Sequence, residues 1–394
     1  MSRADPLKYL GAELNDLRER GLFRWPRLLE SPQGPVARYD GREVINLCSN
    51  NYLGLANHPT LKEAARRAVD ELGVGSGAVR TIAGNMAIHT QVEQELARFK
   101  LTEATLLYQS GFSANAGTVS AILGKDDVIV SDELNHASII DGARLSGAVK
   151  RIYPHKDVAA ARRLLEESRG ARHVLLITDG VFSMDGDIAP LPDLVTVAEA
   201  FGAIMMVDDA HASGVLGRAG RGTVDHFNLH GRVDIQVGTL SKAFACQGGY
   251  VAGSRVLVDY LIHRARPLLF STSHPPSVAA TALAAVRLVQ EQPEIIERLW
   301  DNTRFFKRGL AQLGFGTGES ETPITPVMTG DERLAMDLSD RLFDAGVFAL
   351  GITFPTVPRG KARVRTIVTA GHTKAHLQQA LDAFERVGRA LRLI

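Results

Sequence analysis

The sequence predicts an α/β protein, with a mainly parallel sheet in a large domain followed by a smaller C-terminal α/β domain. Two patterns lead to that class. From about Pro59 to Gln290, helical periodicity alternates with short apolar strands, the order that gives parallel strands covered by helices on both faces. Beyond residue 290, longer helical stretches accompany strands of a different spacing, so a second, smaller unit closes the chain. At 394 residues, 45% of them apolar, the chain can bury a large core and exceeds the roughly 100 to 200 residues of one domain.

Taken in order, residues 1–55 read as an N-terminal arm: an amphipathic helix near Leu7 to Arg20, then Pro26, Pro32, Gly34 and Pro35, then Val44-Ile45-Asn46-Leu47. The prolines interrupt regular structure, so this stretch is expected to be an arm and not a core. The large domain, residues 56–290, carries strands at Thr105–Tyr108, Val128–Val130, His173–Thr178, Ala203–Val207 and Ile235–Gly238. Residues 291–394 form the small domain, with helices at Glu294–Leu313 and Glu332–Ala345 and strands at Ile324–Met328, Val347–Leu350 and Ala362–Val368. There is no internal repeat and no low-complexity tract.

Charge narrows the partners. Forty-five basic residues nearly cancel 44 acidic ones, and no basic tract is interleaved with aromatics, which argues against nucleic acid or an anionic membrane. Small molecules and a second copy of the chain are the expected partners. Cys48 and Cys246 lie far apart without metal spacing, and no apolar segment follows Met1-Ser2-Arg3, so a reduced, cytoplasmic setting is expected. Cys246 sits four residues after Lys242, but a free cysteine of this kind reads as a packing residue.

The chemistry concentrates in Val207-Asp208-Asp209-Ala210-His211 and Thr239-Leu240-Ser241-Lys242. Each follows an apolar strand, so Asp208 and Lys242 emerge at the carboxyl ends of neighbouring strands, where open α/β sheets place their ligands. An amine and a carboxylate so placed meet the two needs of pyridoxal 5'-phosphate (PLP): a lysine for its aldehyde, and an acid that keeps the ring nitrogen protonated. Taken singly, Asp208 could be a helix cap and Lys242 a solvated loop charge. A metal site built from Asp208, Asp209, His211, Asp132 and His136 would leave Lys242 idle, so no metal is expected. Ser110-Gly111-Phe112 follows a strand and opens a helix, a turn suited to a phosphate, while His136 follows another strand end and can reach the same crevice.

These motifs occur in an order that resembles the α-oxoamine synthases, PLP enzymes that join an amino acid to an acyl-CoA. The resemblance rests on Ser110-Gly111-Phe112, Leu134-Asn135-His136-Ala137-Ser138, Gly180 to Gly186, Asp208 to His211 and Gly238 to Lys242. It runs from Ser49-Asn50-Asn51-Tyr52-Leu53-Gly54-Leu55 to Ala362-Arg363-Val364-Arg365-Thr366, most of the chain. Phe112 stands where relatives carry Tyr. Asp132 to Leu145, Phe182 to Asp187 and Pro355 to Gly360 read like the glycine C-acetyltransferase (2-amino-3-ketobutyrate CoA ligase) branch.

The resemblance implies a fold-type I PLP-dependent transferase acting as a homodimer with shared active sites. It assigns PLP to Gly111, Phe112, Ser183, His211 and Thr239, with His136 stacked on the ring, Asp208 at the ring nitrogen and Lys242 as anchor and base. Ser271 and Thr272 match a segment that reaches the phosphate from the partner chain. Asn50 and Arg365 match positions that take the substrate carboxylate, and Arg24 matches an N-terminal substrate arginine. The expected catalytic residues are therefore Lys242, His136 and Asp208. The expected reaction joins glycine and acetyl-CoA to give 2-amino-3-ketobutyrate and CoA, reversible and serving threonine breakdown. The alternative is 8-amino-7-oxononanoate synthase, with L-alanine and pimeloyl-CoA in biotin biosynthesis, or both activities together.

Overall fold

The computed structural model describes residues 5–20 and 23–394, and Met1-Ser2-Arg3, on which the reading of the N-terminus rested, lies outside them. Among the described residues, thirteen strands follow in chain order. A hairpin, β1 (Val36–Tyr39) and β2 (Arg42–Asn46), precedes β3 (Ala104–Tyr108), β4 (Val128–Asp132), β5 (Val149–Tyr153), β6 (Val174–Asp179), β7 (Ile204–Asp208), β8 (Ile235–Thr239) and β9 (Gly249–Gly253). The C-terminal part adds β10 (Ile324–Gly330), β11 (Val347–Phe348), β12 (Leu350–Ile352) and β13 (Ala362–Ile367).

Strands β3 to β9 form one seven-stranded sheet in the order β3-β9-β8-β7-β6-β4-β5. Pairing is parallel from β8 to β5, and β9 runs antiparallel to both its neighbours. Adjacent residues enter different cores. Leu106, Leu175, Ile177 and Met206 pack with the helices Gly111–Ile122 and Ala137–Ser146 on one face. On the other face, Leu107 joins residues of the helix Ala87–Lys100, and Leu176, Met205 and Val207 join residues of Leu191–Phe201. Burial on both faces is why these strands read as continuous apolar runs. Each such side chain contributes about 1.5–3 kcal/mol on removal from water.

The small lobe corrects the reading of the N-terminal segment. Ile45 and Leu47, expected in an arm, are buried with Phe306, Leu310, Val364 and Phe384 of the C-terminal part. β2 pairs in parallel with β11, so residues 36–47 complete that core despite the flanking prolines. The stretch Val347–Leu350, expected as one strand, divides at Ala349: β11 joins β2, and β12 joins β13 in an antiparallel sheet of order β10-β13-β12. Along β13 the alternation puts Val364 in the small-lobe core and turns Arg363 and Arg365 to the opposite side.

Candidate active site

Parallel pairing places the carboxyl ends of β4, β6, β7 and β8 along one edge of the sheet, and the polar residues collect there. Asp208 closes β7 and is buried; its Oδ2 accepts from Asn115 Nδ2 at 2.6 Å and its Oδ1 from the Ala210 amide at 2.8 Å. Its register partner on β6 is Asp179, also buried, whose Oδ2 accepts the His136 amide at 2.9 Å. Burial and the neighbouring Asp208 charge push the Asp179 pKa well up, against Lys242 and the His136 amide.

Lys242 follows β8; its carbonyl accepts the Ala245 amide at 3.1 Å, while its Nζ has no hydrogen-bond partner among the described residues. Burial lowers its pKa to about 8, with Arg365 acting in the same direction and Asp208 and Asp179 opposing it. An amine poised there is nucleophilic and basic near neutrality. It opens on a crevice of about 380 Å³ whose walls include Cys48, Asn50, Asn51 and Ser241. The thiols of Cys48 and Cys246 are both pushed up to about 12 by burial, so neither competes with Lys242 as a nucleophile.

His136 caps the helix Ala137–Ser146, and its Nδ1 lies 3.2 Å from the Ser138 amide that donates to it. That bond fixes the proton on Nε2, leaving a donor at the ring's outer edge. Ser138 Oγ in turn accepts from Asn115 Nδ2 at 2.9 Å, so His136, Ser138, Asn115 and Asp208 are joined in one network. His136 is exposed, yet desolvation lowers its pKa, with Asp208 opposing and the Lys242 charge assisting. His211 is buried and bonded through Nδ1 to Tyr52 Oη at 2.7 Å. Burial, then the charges of Lys242, Arg365 and His136, lower its pKa well below the usual value and keep it neutral.

The phosphate end fits an anion. Ser110 caps the helix Gly111–Ile122 through Ser113 N, at 3.0 Å, and the Gly111 and Phe112 amides have no partner among the described residues. A Cβ on Gly111 would lie 3.1 Å from Thr239 Cβ and 3.4 Å from its hydroxyl oxygen, a crowding that glycine avoids. At the opposite side, Arg365 Nη2 donates to Asn50 Oδ1 at 3.1 Å, while its Nε is buried with no partner. An unpaired guanidinium N–H costs free energy unless an acceptor arrives, and a carboxylate supplies one. The free Lys242 amine, the Asp208 carboxylate and this open helix end together fit PLP.

Three further segments carry the remaining expected residues. Arg24 lies 4.0 Å from Asp340 at an exposed position, which gives it a partner on the small lobe instead of a place beside Asn50. Ser271 and Thr272 follow the helix Arg266–Leu269, and their carbonyls are held by Gln109 Nε2 at 3.3 and 2.9 Å. Ser183 is half-buried on the turn after β6. The residues of the metal reading separate: Asp209 pairs with Lys100 at 2.8 Å and Asp132 with His155 at 3.0 Å, and no metal-suited cluster occurs among the described residues. The sequence reading missed Asn115, Tyr52 and Asp179, although Tyr52 lies inside a motif it had singled out and Asn115 follows another by three residues.

Comparison with known proteins follows from this geometry. The pattern of the family "Aminotransferase class I and II" matches residues 42–384. The chain is 61% identical to the 8-amino-7-oxononanoate synthase of Symbiobacterium thermophilum over 98% of this chain and 99% of that one. It is 55% identical to 8-amino-7-oxononanoate synthase 1 of Bacillus subtilis, with the same coverage. Among solved structures, serine palmitoyltransferase from S. paucimobilis, holding PLP joined to myriocin, superimposes with a TM-score of 0.94 at 33% identity, covering 99% of this chain and all of that one.

The relatives' names overturn one expectation. Full-length relatives at 54 to 61% identity are 8-amino-7-oxononanoate synthases, so the assignment to glycine C-acetyltransferase, with glycine, acetyl-CoA and threonine breakdown, does not stand. Of the segments behind that expectation, Asp132 and Asp187 are tied to His155 and Asp185 to Arg363, and Pro355, Thr356, Pro358, Arg359 and Gly360 are exposed.

Proposed function

The chain belongs to the class I and II aminotransferase family and is a PLP-dependent fold-type I transferase of the α-oxoamine synthase type, and from that premise we propose that it is an 8-amino-7-oxononanoate synthase. The observation that carries this reading is 61% identity to a protein of that name across almost its whole length. The substrates are L-alanine and pimeloyl-CoA. A seven-carbon acyl group and a three-carbon amino acid give a nine-carbon product only if one carbon leaves, so CO₂ departs with CoA.

PLP, when bound, withdraws electron density from the amino acid's α-carbon. The residues of the chain do the rest. Asp208, held by Asn115 and the Ala210 amide, keeps a negative charge at the ring nitrogen. Arg365 and Asn50 bind the alanine carboxylate, and the Arg365 Nε supplies the bond it lacks in the protein. Lys242 Nζ takes the α-proton as general base. The α-carbon then bonds to the thioester carbonyl carbon, the C–S bond breaks and CoA leaves as thiolate. His136 Nε2–H stands ready to donate to the developing oxyanion, since its Nδ1 is engaged by Ser138. Loss of CO₂ from the Arg365 site leaves an electron pair on the α-carbon, which Lys242 reprotonates.

Gly111, Phe112 and Thr239 bind the phosphate in this account, with Ser183 and His211 at the ring's polar edge. The chain acts as a homodimer, in which Ser271 and Thr272 complete the neighbouring phosphate site. Among the described residues no helix is long and apolar enough to cross a membrane. The test is a matrix of small amino acids and acyl-CoAs, with thiol release and carboxyl-labelled CO₂ measured together. Alanine with pimeloyl-CoA should give the highest kcat/KM and one CO₂ per CoA. Thiol release without CO₂ would overturn the reading.

A further inference from the structure

Outside the residues already assigned, His155 has the most demanding surroundings. It follows β5, and its ring lies between two buried carboxylates: Nδ1 is 3.0 Å from Asp132 Oδ1 and Nε2 is 2.9 Å from Asp187 Oδ2. Carboxylate oxygens only accept hydrogen bonds, so both ring nitrogens must donate, and only the imidazolium carries two N–H groups. A neutral ring would set a lone pair against a carboxylate at about hydrogen-bond distance. With two carboxylates as its partners, the ring is therefore held as a cation.

What this cation grips is the loop that carries Ser183. Phe182 N donates to Asp187 O at 3.1 Å and Gly186 N to Phe182 O at 2.8 Å, closing the loop on itself. Gly186, at φ +75°, sits so near the Ile324 carbonyl that a side chain would collide with it. The Phe182 ring meets the His155 ring edge-on, with centroids 4.4 Å apart. At the other end Arg363 Nη1 donates to Met184 O at 3.0 Å and pairs with Asp185. Ser183 thus lies between an anchor on the small lobe, Arg363, and one at the end of β4, Asp132.

We propose that His155 is a positioning residue: as an imidazolium it locks the Phe182–Asp187 loop to Asp132 and so holds Ser183 against the cofactor, a lock that opens under alkaline conditions. The inference rests on the assignment of Ser183 to the cofactor's polar edge.

The pH window follows from the surroundings. Burial alone would lower the His155 pKa, but hydrogen bonds and charge from Asp132 and Asp187 outweigh it and raise the pKa to about 9. Since the folded value lies above the unfolded one of about 6.5, the stabilisation is complete below that value and is lost as pH rises through about 9. Glu133, which accepts the His155 amide at 2.9 Å, favours the cation. Lys156, 3.1 Å from Asp187, opposes it and lies 4.0 Å from Glu321, which offsets part of the Lys156 charge.

The experiment follows PLP release from the holoenzyme between about pH 7 and 10.5, alongside ¹³C-histidine NMR. One histidine signal, absent in His155→Gln, should titrate with a midpoint of about 9; a midpoint near 6.5 overturns the proposal. In the wild type, PLP release should quicken roughly tenfold through that midpoint, whereas His155→Gln should release quickly at pH 7.5 and show no such step. A variant that only loosens the fold would melt earlier yet keep the wild-type step, and that result overturns the lock. Should His155→Gln fail to fold, Asp187→Asn serves: removing one acceptor charge should move the midpoint down by about one unit, and an unmoved midpoint contradicts the account. Ser183→Ala separates the underlying assignment, because unchanged PLP release there removes the Ser183 role whatever His155 does.

Discussion

Arg365 Nη2 lies 3.1 Å from Asn50 Oδ1, while Nε of the same guanidinium is buried and unpaired. This half-satisfied fork, bonded to a residue of the crevice that holds Lys242, is shaped for a planar carboxylate. Arg365→Lys keeps the charge but loses the two parallel donors, so the KM for alanine should rise about tenfold or more, equivalent to ~1.4 kcal/mol. The KM for the acyl-CoA should change far less. Steady-state kinetics with each substrate varied in turn reads both numbers.

Asp208→Asn preserves size and can still meet the Ala210 amide, but removes the charge behind the ring nitrogen. PLP should still bind, whereas exchange of the alanine α-proton into deuterated water should slow by about 10²-fold or more. Proton NMR of alanine with the variant measures this without acyl-CoA. Unchanged exchange would remove Asp208 from that role.

Lys100 and Asp209 form a wholly buried ion pair at 2.8 Å, beside the active-site aspartate. Asp209 also accepts from the Thr223 amide and hydroxyl, and the Lys100 ammonium donates to the Arg221 carbonyl. Asp209→Asn strands a buried ammonium, so the variant should lose about 3–5 kcal/mol of stability. Denaturant unfolding of the apoprotein checks this, and a loss below about 1 kcal/mol would show that the charge is compensated elsewhere.

The lowered pKa of Lys242, about 8, sets a pH dependence for cofactor capture. Only the neutral amine attacks an aldehyde, so the rate at which apoprotein takes up PLP should climb with pH and level off above about 8. Stopped-flow absorbance follows it. A rate still rising steeply at about pH 10 would mean that burial does not depress this amine.

Much of this architecture is legible in the sequence because β3, β4, β6, β7 and β8 are buried on both faces and read as apolar runs. Two strands of the seven-stranded sheet are hidden for physical reasons. β5 lies at the sheet edge with Lys150 and Arg151 among its five residues, and β9 begins and ends in glycine, so neither shows an apolar run. Asp208 and Lys242 are readable from their places after strands, but the donors that make Asp208 effective are not: Asn115 is 93 positions away, and only the fold brings its amide to 2.6 Å. His155 is hidden for the same reason, since its two carboxylates come from β4 and from the loop after β6. Motif resemblance found the chemistry and misjudged the acyl group.

Every role assigned around the crevice is measured from Lys242, so the most direct measurement is where the cofactor attaches. Holoenzyme reduced with borohydride and digested with protease should give a single pyridoxylated peptide, with the modification on Lys242. Lys242→Ala should give none, should keep its fold, and should neither exchange the alanine α-proton nor release CoA. A pyridoxyl group found on any other lysine would contradict the account.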